Sequence, residues 1–176
     1  MASAEVARAS DVLDLYDRAL PQVYGYLVRR CGSAPLAEDL TSETFLAAVD
    51  ACRRAAVPDL TVGWLVGVAR HKLVDHWRRQ AAEERRLEAV AHQPVAEVEP
   101  GVDPSELDER RALATLARLG PHHRAALTLR YLDGLSVPRV AAEMDRTVHA
   151  TEALLVRARN AFRTAYRRPE GSDDAG

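Results

Sequence analysis

Side chains that can carry charge or donate hydrogen bonds crowd the stretch Gly67 to Gln80, GVARHKLVDHWRRQ. On a helix drawn through it, His71, Lys72, Asp75, Arg78 and Arg79 share one side. Val68, Ala69, Leu73 and His76 form the other, and Trp77 lies near the edge. Taken alone, this is the polar face of any surface helix. Metal chemistry does not follow from it: His71 and His76 are five apart, whereas a helical metal pair needs about four. Cys31 and Cys52 lack the paired spacing of a structural zinc site. No Gly-rich phosphate loop or nucleophile elbow occurs, and Ser, His and Asp form no local signature. The expectation is no catalytic residue, no metal and no cofactor, hence not an enzyme. What remains is the chemistry of binding.

The distribution of charge gives that chemistry a direction. The chain of 176 residues has a net charge of −2, so no overall basicity points to nucleic acid. Yet residues 70–86 hold six Lys or Arg against three acids, and residues 139–168 hold seven Arg against three. Between them, residues 88–110 hold seven acids and one Arg. Two basic blocks flank an acidic connector. Without a signal peptide or an apolar run long enough to span a bilayer, the chain reads as cytoplasmic, with reduced thiols and no membrane insertion.

Helices must position these groups, because apolar residues recur at three and four throughout and strand signals are nearly absent. With only 5% aromatic residues, the core is mostly Leu, Val and Ala, which suits packed helices. The first helix is expected from near Ser10 or Asp11 to Gly32. It buries Leu13, Tyr16, Leu20, Tyr24 and Leu27, with Pro21 kinking or dividing it. A second starts at Pro35, with Leu36, Leu40, Phe45 and Val49 inward. The stretch around Pro58 reads as a loop, and a third helix covers about Val62 to Arg86. From Val90 to Pro104, three Pro, one Gly and several acids without an apolar period read as a flexible linker.

Helices resume over 105–119 and 122–132. A short helix over 137–144, capped by Ser136, then precedes a break at Asp145-Arg146-Thr147 and a long basic helix from Val148 to about Arg167. That is the helix-turn-helix plan, with a plain helical hairpin as the alternative. Val140, Ala141 and Met144 would face Val148, Leu155, Ala158 and Phe162. Asp145 stands where a Gly is usual, for its left-handed backbone. The tail from Pro169 reads as disordered. The fold class is therefore all-α: domains at 1–88 and 105–168, a linker at 89–104 and a tail at 169–176.

Three stretches in this order resemble the extracytoplasmic-function sigma factors of the bacterial sigma-70 family: AEDLTSETFLAAV, GWLVGVARHKLVDHWRR, and LARLGPHHRAALTLRYLDGLSVPRVAAEMDRTVHATEALLVRAR. The resemblance covers about residues 11–86 and 108–166. It implies that the first stretch binds core RNA polymerase through the clamp helices of its largest subunit, with Asp39, Leu40, Glu43 and Thr44 as the binding set. For Asp39 and Glu43 the ordinary alternative is a solvated face. The second stretch would hold the −10 region through Arg53, Trp64, His71, Lys72, Arg78 and Arg79. The arginines would meet phosphates, Trp64 or Trp77 would stack on an unpaired base, and the Arg53–Val62 loop would capture a flipped base. The third would meet the −35 region through Arg146, Thr147, His149, Ala150, Thr151, Arg157 and Arg159.

Two departures stand out. The family usually has Asn at His71, and often Lys, Ser and Arg where this chain has Glu152, Ala153 and Leu154. Direct readout of guanine is lost at those positions, leaving thymine methyls and DNA shape. Similar linkers thread the polymerase channel, so the acidic linker is either a mimic of RNA or a spacer. The implied function is a transcription initiation factor that recognises −10 and −35 elements and promotes DNA opening. Its partners would be core polymerase, promoter DNA and, as a regulator, an anti-sigma factor. The alternative is a stand-alone dimeric helix-turn-helix regulator.

Overall fold

The computed structural model describes residues 2–54, 60–88 and 109–167, with side chains from residue 15 to 86 in the first two segments. Every regular element among them is helical. The linker, the tail and residues 55–59 of the Arg53–Val62 loop lie outside the described residues. The chain forms two compact units, Met1–Asp75 and His76–Gly176, and the division falls inside a helix.

In the first unit, α1 runs Ala2–Cys31 and α2 runs Ala34–Arg53, with the start of α3, Val62–Glu88. Gly32 ends α1 with φ 63, a left-handed value that costs Gly little. Pro35 sits in the first turn of α2, where no intrahelical N–H is needed. Thr61 starts α3: its Oγ1 accepts from Trp64 N at 3.1 Å.

Pro21 does not divide α1, which runs through it unbroken; of the kink or division expected from sequence, the division does not occur. It is exposed, so water can reach the carbonyl its ring leaves unbonded, and Gln22 Nε2 donates to Arg18 O at 3.3 Å beside it. The buried stripe of α1 also differs. It is Leu15, Ala19, Val23, Leu27 and Cys31, sharing only Leu27 with the expected set. Leu20 and Tyr24 are half-buried, and Tyr16 is exposed. The side chain of Leu13 lies outside the description.

On α2 the buried set is Ala37, Leu40, Thr41, Thr44, Phe45 and Ala48; Leu36 is half-buried and Val49 is exposed. Small residues line the buried faces of both helices, while the Tyr16 ring lies at the edge against buried Phe45. There Tyr16 and Phe45 pack with centroids 4.7 Å apart. Thr41 and Thr44 are buried without penalty because their hydroxyls donate to Ala37 O and Leu40 O, at 2.6 and 2.7 Å.

The buried stripe of α3 is Leu65, Ala69, Leu73, Val74, Trp77 and Ala81. Trp77 is thus a core residue rather than an edge one, and Val68 and His76 are half-buried.

The second unit adds α4 (Glu109–Ala117), α5 (Pro121–Leu127), a π-helical turn (Thr128–Leu132), α6 (Val137–Glu143) and α7 (Val148–Arg167) to the end of α3. Ala125, Ala126, Leu127 and Leu129 pack with Val140, Ala141, Met144, Leu154, Leu155 and Ala158 as its core. The π turn closes where Asp133 N donates to Thr128 O at 3.0 Å, and Gly134 follows at φ 66. Arg130 Nη1 spans the exit, donating to Leu135 O at 2.8 Å.

The turn of the helix-turn-helix is well formed despite its unusual residues. Asp145 has φ 53, Arg146 N donates to Ala141 O at 2.9 Å and Asp145 N to Ala142 O at 3.3 Å. This pair of bonds is the Schellman closure, and Asp tolerates the left-handed backbone better than most side chains. Thr147 caps α7, its Oγ1 accepting from Ala150 N at 3.2 Å. Two expected partners of α6 differ: Val148 is exposed, and Phe162 is half-buried and stacks on Tyr166 at 5.7 Å. Arg111 secures that end, donating to Tyr166 O at 2.6 Å with its guanidinium over the Tyr166 ring.

Candidate nucleic-acid interface

Three helix faces carry the residues singled out by sequence. On α2, Asp39 and Glu43 are exposed and one turn apart. Leu40 and Thr44 are 2% and 0% exposed, so their side chains serve the core and offer a partner nothing. Leu46, which sequence reasoning passed over, is 68% exposed. It lies three residues beyond Glu43, on the same face, with exposed Val49 beside it. An apolar residue between acids at helical spacing was the available signal. The face offers a partner two carboxylates and, about one turn further on, an apolar knob.

On α3, His71 and Arg79 are exposed, while Trp64, Lys72 and Arg78 are half-buried. His71 Nε2 lies 3.4 Å from Asp75 Oδ2, one turn on along the same helix. Lys72 Nζ reaches across to α2, 3.1 Å from Glu43 Oε2. Trp77 is 1% exposed and has no face for a base, which leaves Trp64 as the aromatic within reach of one. Arg53, the last residue of α2, is exposed.

Within the second unit, Arg78 Nη2 lies 3.1 Å from Asp145 Oδ2, and the Arg124 guanidinium sits 5.3 Å from the Trp77 ring. On α7, Thr151 is fully buried and donates through Oγ1 to Thr147 O at 2.9 Å, and Leu154 is 4% exposed. Neither reads DNA. Thr147 is exposed while capping its helix, and Arg146 and Ala150 are half-buried. The exposed face carries His149, Glu152, Ala153 and Val156. Arg157 and Arg159 flank this face, roughly 160° apart at about 100° per residue. Two cations so placed suit the two phosphate walls of a groove better than one base edge.

His122, at the start of α5, is lowered from its ordinary 6.5 to about 4, first by burial and then by the charges of Arg146, Arg85 and His123. His123 is lowered by burial and by Arg157. A base with a depressed folded-state value is protonated more readily in the unfolded chain. Stability is therefore full above pH 6.5 and falls as pH drops toward 4. Partial exposure limits the loss to about 1–2 kcal/mol. In His122→Gln the difference in urea-unfolding free energy between pH 7 and pH 5 should shrink by about 1 kcal/mol.

The Sigma-70 region 2 family model matches residues 15–83, and the Sigma-70 region 4 model matches residues 109–162. Over 152 residues the chain is 33% identical to the ECF RNA polymerase sigma factor SigF of Caulobacter vibrioides, covering 83% of this chain and 80% of that one. The chain belongs to the extracytoplasmic-function sigma factors.

It is also 35% identical over 161 residues to the ECF RNA polymerase sigma factor BldN of Streptomyces coelicolor, covering 88% of this chain and spanning 60% of BldN's length. The sigma factor RpoE of Bartonella quintana, solved with the anti-sigma factor NepR, shares the fold: TM-score 0.52, 21% identity, and coverage of 85% of this chain and 92% of that one. The sigma factor thus carries both Sigma-70 regions, region 2 over α1–α3 and region 4 over α4–α7. No described helix is long and apolar enough to cross a membrane. The stand-alone regulator is not favoured, because the chain matches Sigma-70 region 2 as well as region 4.

Proposed function

We propose that this sigma factor divides promoter initiation among three helix faces. Asp39, Glu43 and Leu46 on α2 hold the clamp helices of core polymerase. Trp64, His71, Lys72, Arg78 and Arg79 on α3 hold the opened −10 strand, with Arg53 and its loop beside it. Arg146, His149, Ala150, Arg157 and Arg159 meet the −35 duplex. The linker over 89–104 joins the two domains, and an anti-sigma protein completes the partner set. The observation that carries the reading is the presence of both Sigma-70 regions, in order, in one chain. Reconstitution with core polymerase, followed by genome-wide mapping of transcript starts, tests it. Discrete starts sharing −10 and −35 elements are expected, and starts no different from core polymerase alone overturn it.

The exposed α7 face bears Glu152 among residues that approach DNA, and a carboxylate repels phosphate. Glu152→Lys should tighten holoenzyme binding to all promoter sequences, by about tenfold at low salt, and steepen the salt slope by about one unit. Arg157→Ala should weaken it uniformly. Loss confined to one base pair of a −35 panel would instead mark Arg157 as a base contact, worth about 1–3 kcal/mol there. Filter binding at two salt concentrations separates these outcomes.

A further inference from the structure

The ion pair between Lys72 and Glu43 joins two faces that the proposed function assigns to different partners. Lys72 Nζ and Glu43 Oε2 are 3.1 Å apart, on α3 and α2 of the same unit. The lysine side chain is 26% exposed and the glutamate 51%. The aliphatic stem of Lys72 is thus largely covered, and its ammonium has few directions in which to point. It points at α2. Glu43 is the freer member, and it stands on the Asp39–Leu46 face.

We propose that Glu43 masks Lys72 in the free protein, so that binding polymerase on α2 and holding DNA on α3 are coupled through this pair. The inference rests on the assignment of α2 to polymerase and α3 to DNA. A carboxylate at 3 Å cancels most of the attraction of an ammonium for a phosphate. When a basic residue of the polymerase takes Glu43, the ammonium loses its internal partner and becomes available to a phosphate. Linkage makes the effect reciprocal: DNA on Lys72 frees Glu43 for the polymerase. Because the pair is solvent-exposed, the gain is modest, about two- to fivefold in affinity. A sigma factor without its polymerase would then hold DNA more weakly than its charge allows.

The test uses the full-length protein without polymerase and a single-stranded oligonucleotide at low salt. Glu43→Gln should bind it two- to fivefold more tightly than wild type, with the salt slope steeper by about 0.7, the value for one phosphate on a single strand. Glu38→Gln, an equal change of charge on an exposed position of α2, reports the long-range effect and should give less than half of that gain. In a Lys72→Met background, Glu43→Gln should gain no more than Glu38→Gln does. Equal gains from Glu43→Gln and Glu38→Gln, or a gain that survives Lys72→Met, overturn the mask. So does an oligonucleotide affinity that Glu43→Gln leaves unchanged or undetectable. Co-elution of wild type with core polymerase is measured in parallel. Its absence refutes the polymerase reading, whereas normal co-elution with no oligonucleotide effect refutes the mask alone.

Discussion

Asp39→Arg combined with Glu43→Arg should abolish co-elution with core polymerase while the far-ultraviolet circular dichroism stays that of wild type. Both carboxylates are exposed on α2, so their replacement disturbs no core side chain and breaks only the solvent-facing pair of Glu43 with Lys72. Leu46, 68% exposed, lies about one turn beyond Glu43 on the same face, so an apolar side chain stands next to the two carboxylates. Reversing both charges turns attraction toward a basic partner into repulsion. The cost is about 3 kcal/mol or more, roughly a hundredfold loss of affinity. Leu46→Asp acts on the same face by replacing its exposed apolar side chain with a charge, and it too should lose binding with the fold intact. Thr44→Arg, by contrast, should unfold the first unit, because Thr44 is fully buried. Wild-type affinity of the Asp39→Arg, Glu43→Arg protein, measured by co-elution or fluorescence anisotropy, would remove α2 as the polymerase-binding helix.

Trp77→Ala has the largest expected effect on stability. The indole is 1% exposed, and truncating a buried Trp costs about 3–5 kcal/mol. A domain with about 5–15 kcal/mol in total loses a large share of its stability. The cation–π contact with Arg124 goes with it. Urea denaturation should show a markedly lower midpoint or no cooperative transition. Trp64→Ala should differ in kind. Trp64 is half-buried, so the variant stays folded and instead loses fluorescence enhancement from a 2-aminopurine placed in the −10 region of the holoenzyme complex. If Trp77→Ala unfolds within 1 kcal/mol of wild type, the indole is not a core residue.

Periodicity, turn residues and charge by themselves determined that this chain is helical, where most helices lie, and that two basic segments flank an acidic one. The helix-turn-helix shows how far this goes. The break at 145–147 and the start at Val148 were legible because turns are local chemistry, and α6 and α7 lie at Val137–Glu143 and Val148–Arg167; Ser136 holds the N-cap position, but its hydroxyl makes no cap bond. The faces were less legible. In α1 two apolar stripes compete, and a helix drawn alone favours the one with larger residues. Packing chose Leu15, Ala19, Val23, Leu27 and Cys31, because small side chains let α1 and α2 approach. The same contest put Trp77, Thr44 and Thr151 inside and left Leu46 and Val156 outside. Only the tertiary structure could bring Lys72 to Glu43, 29 residues apart in the chain. A helix wheel records angles within one element, and which angle is buried depends on the neighbour that arrives.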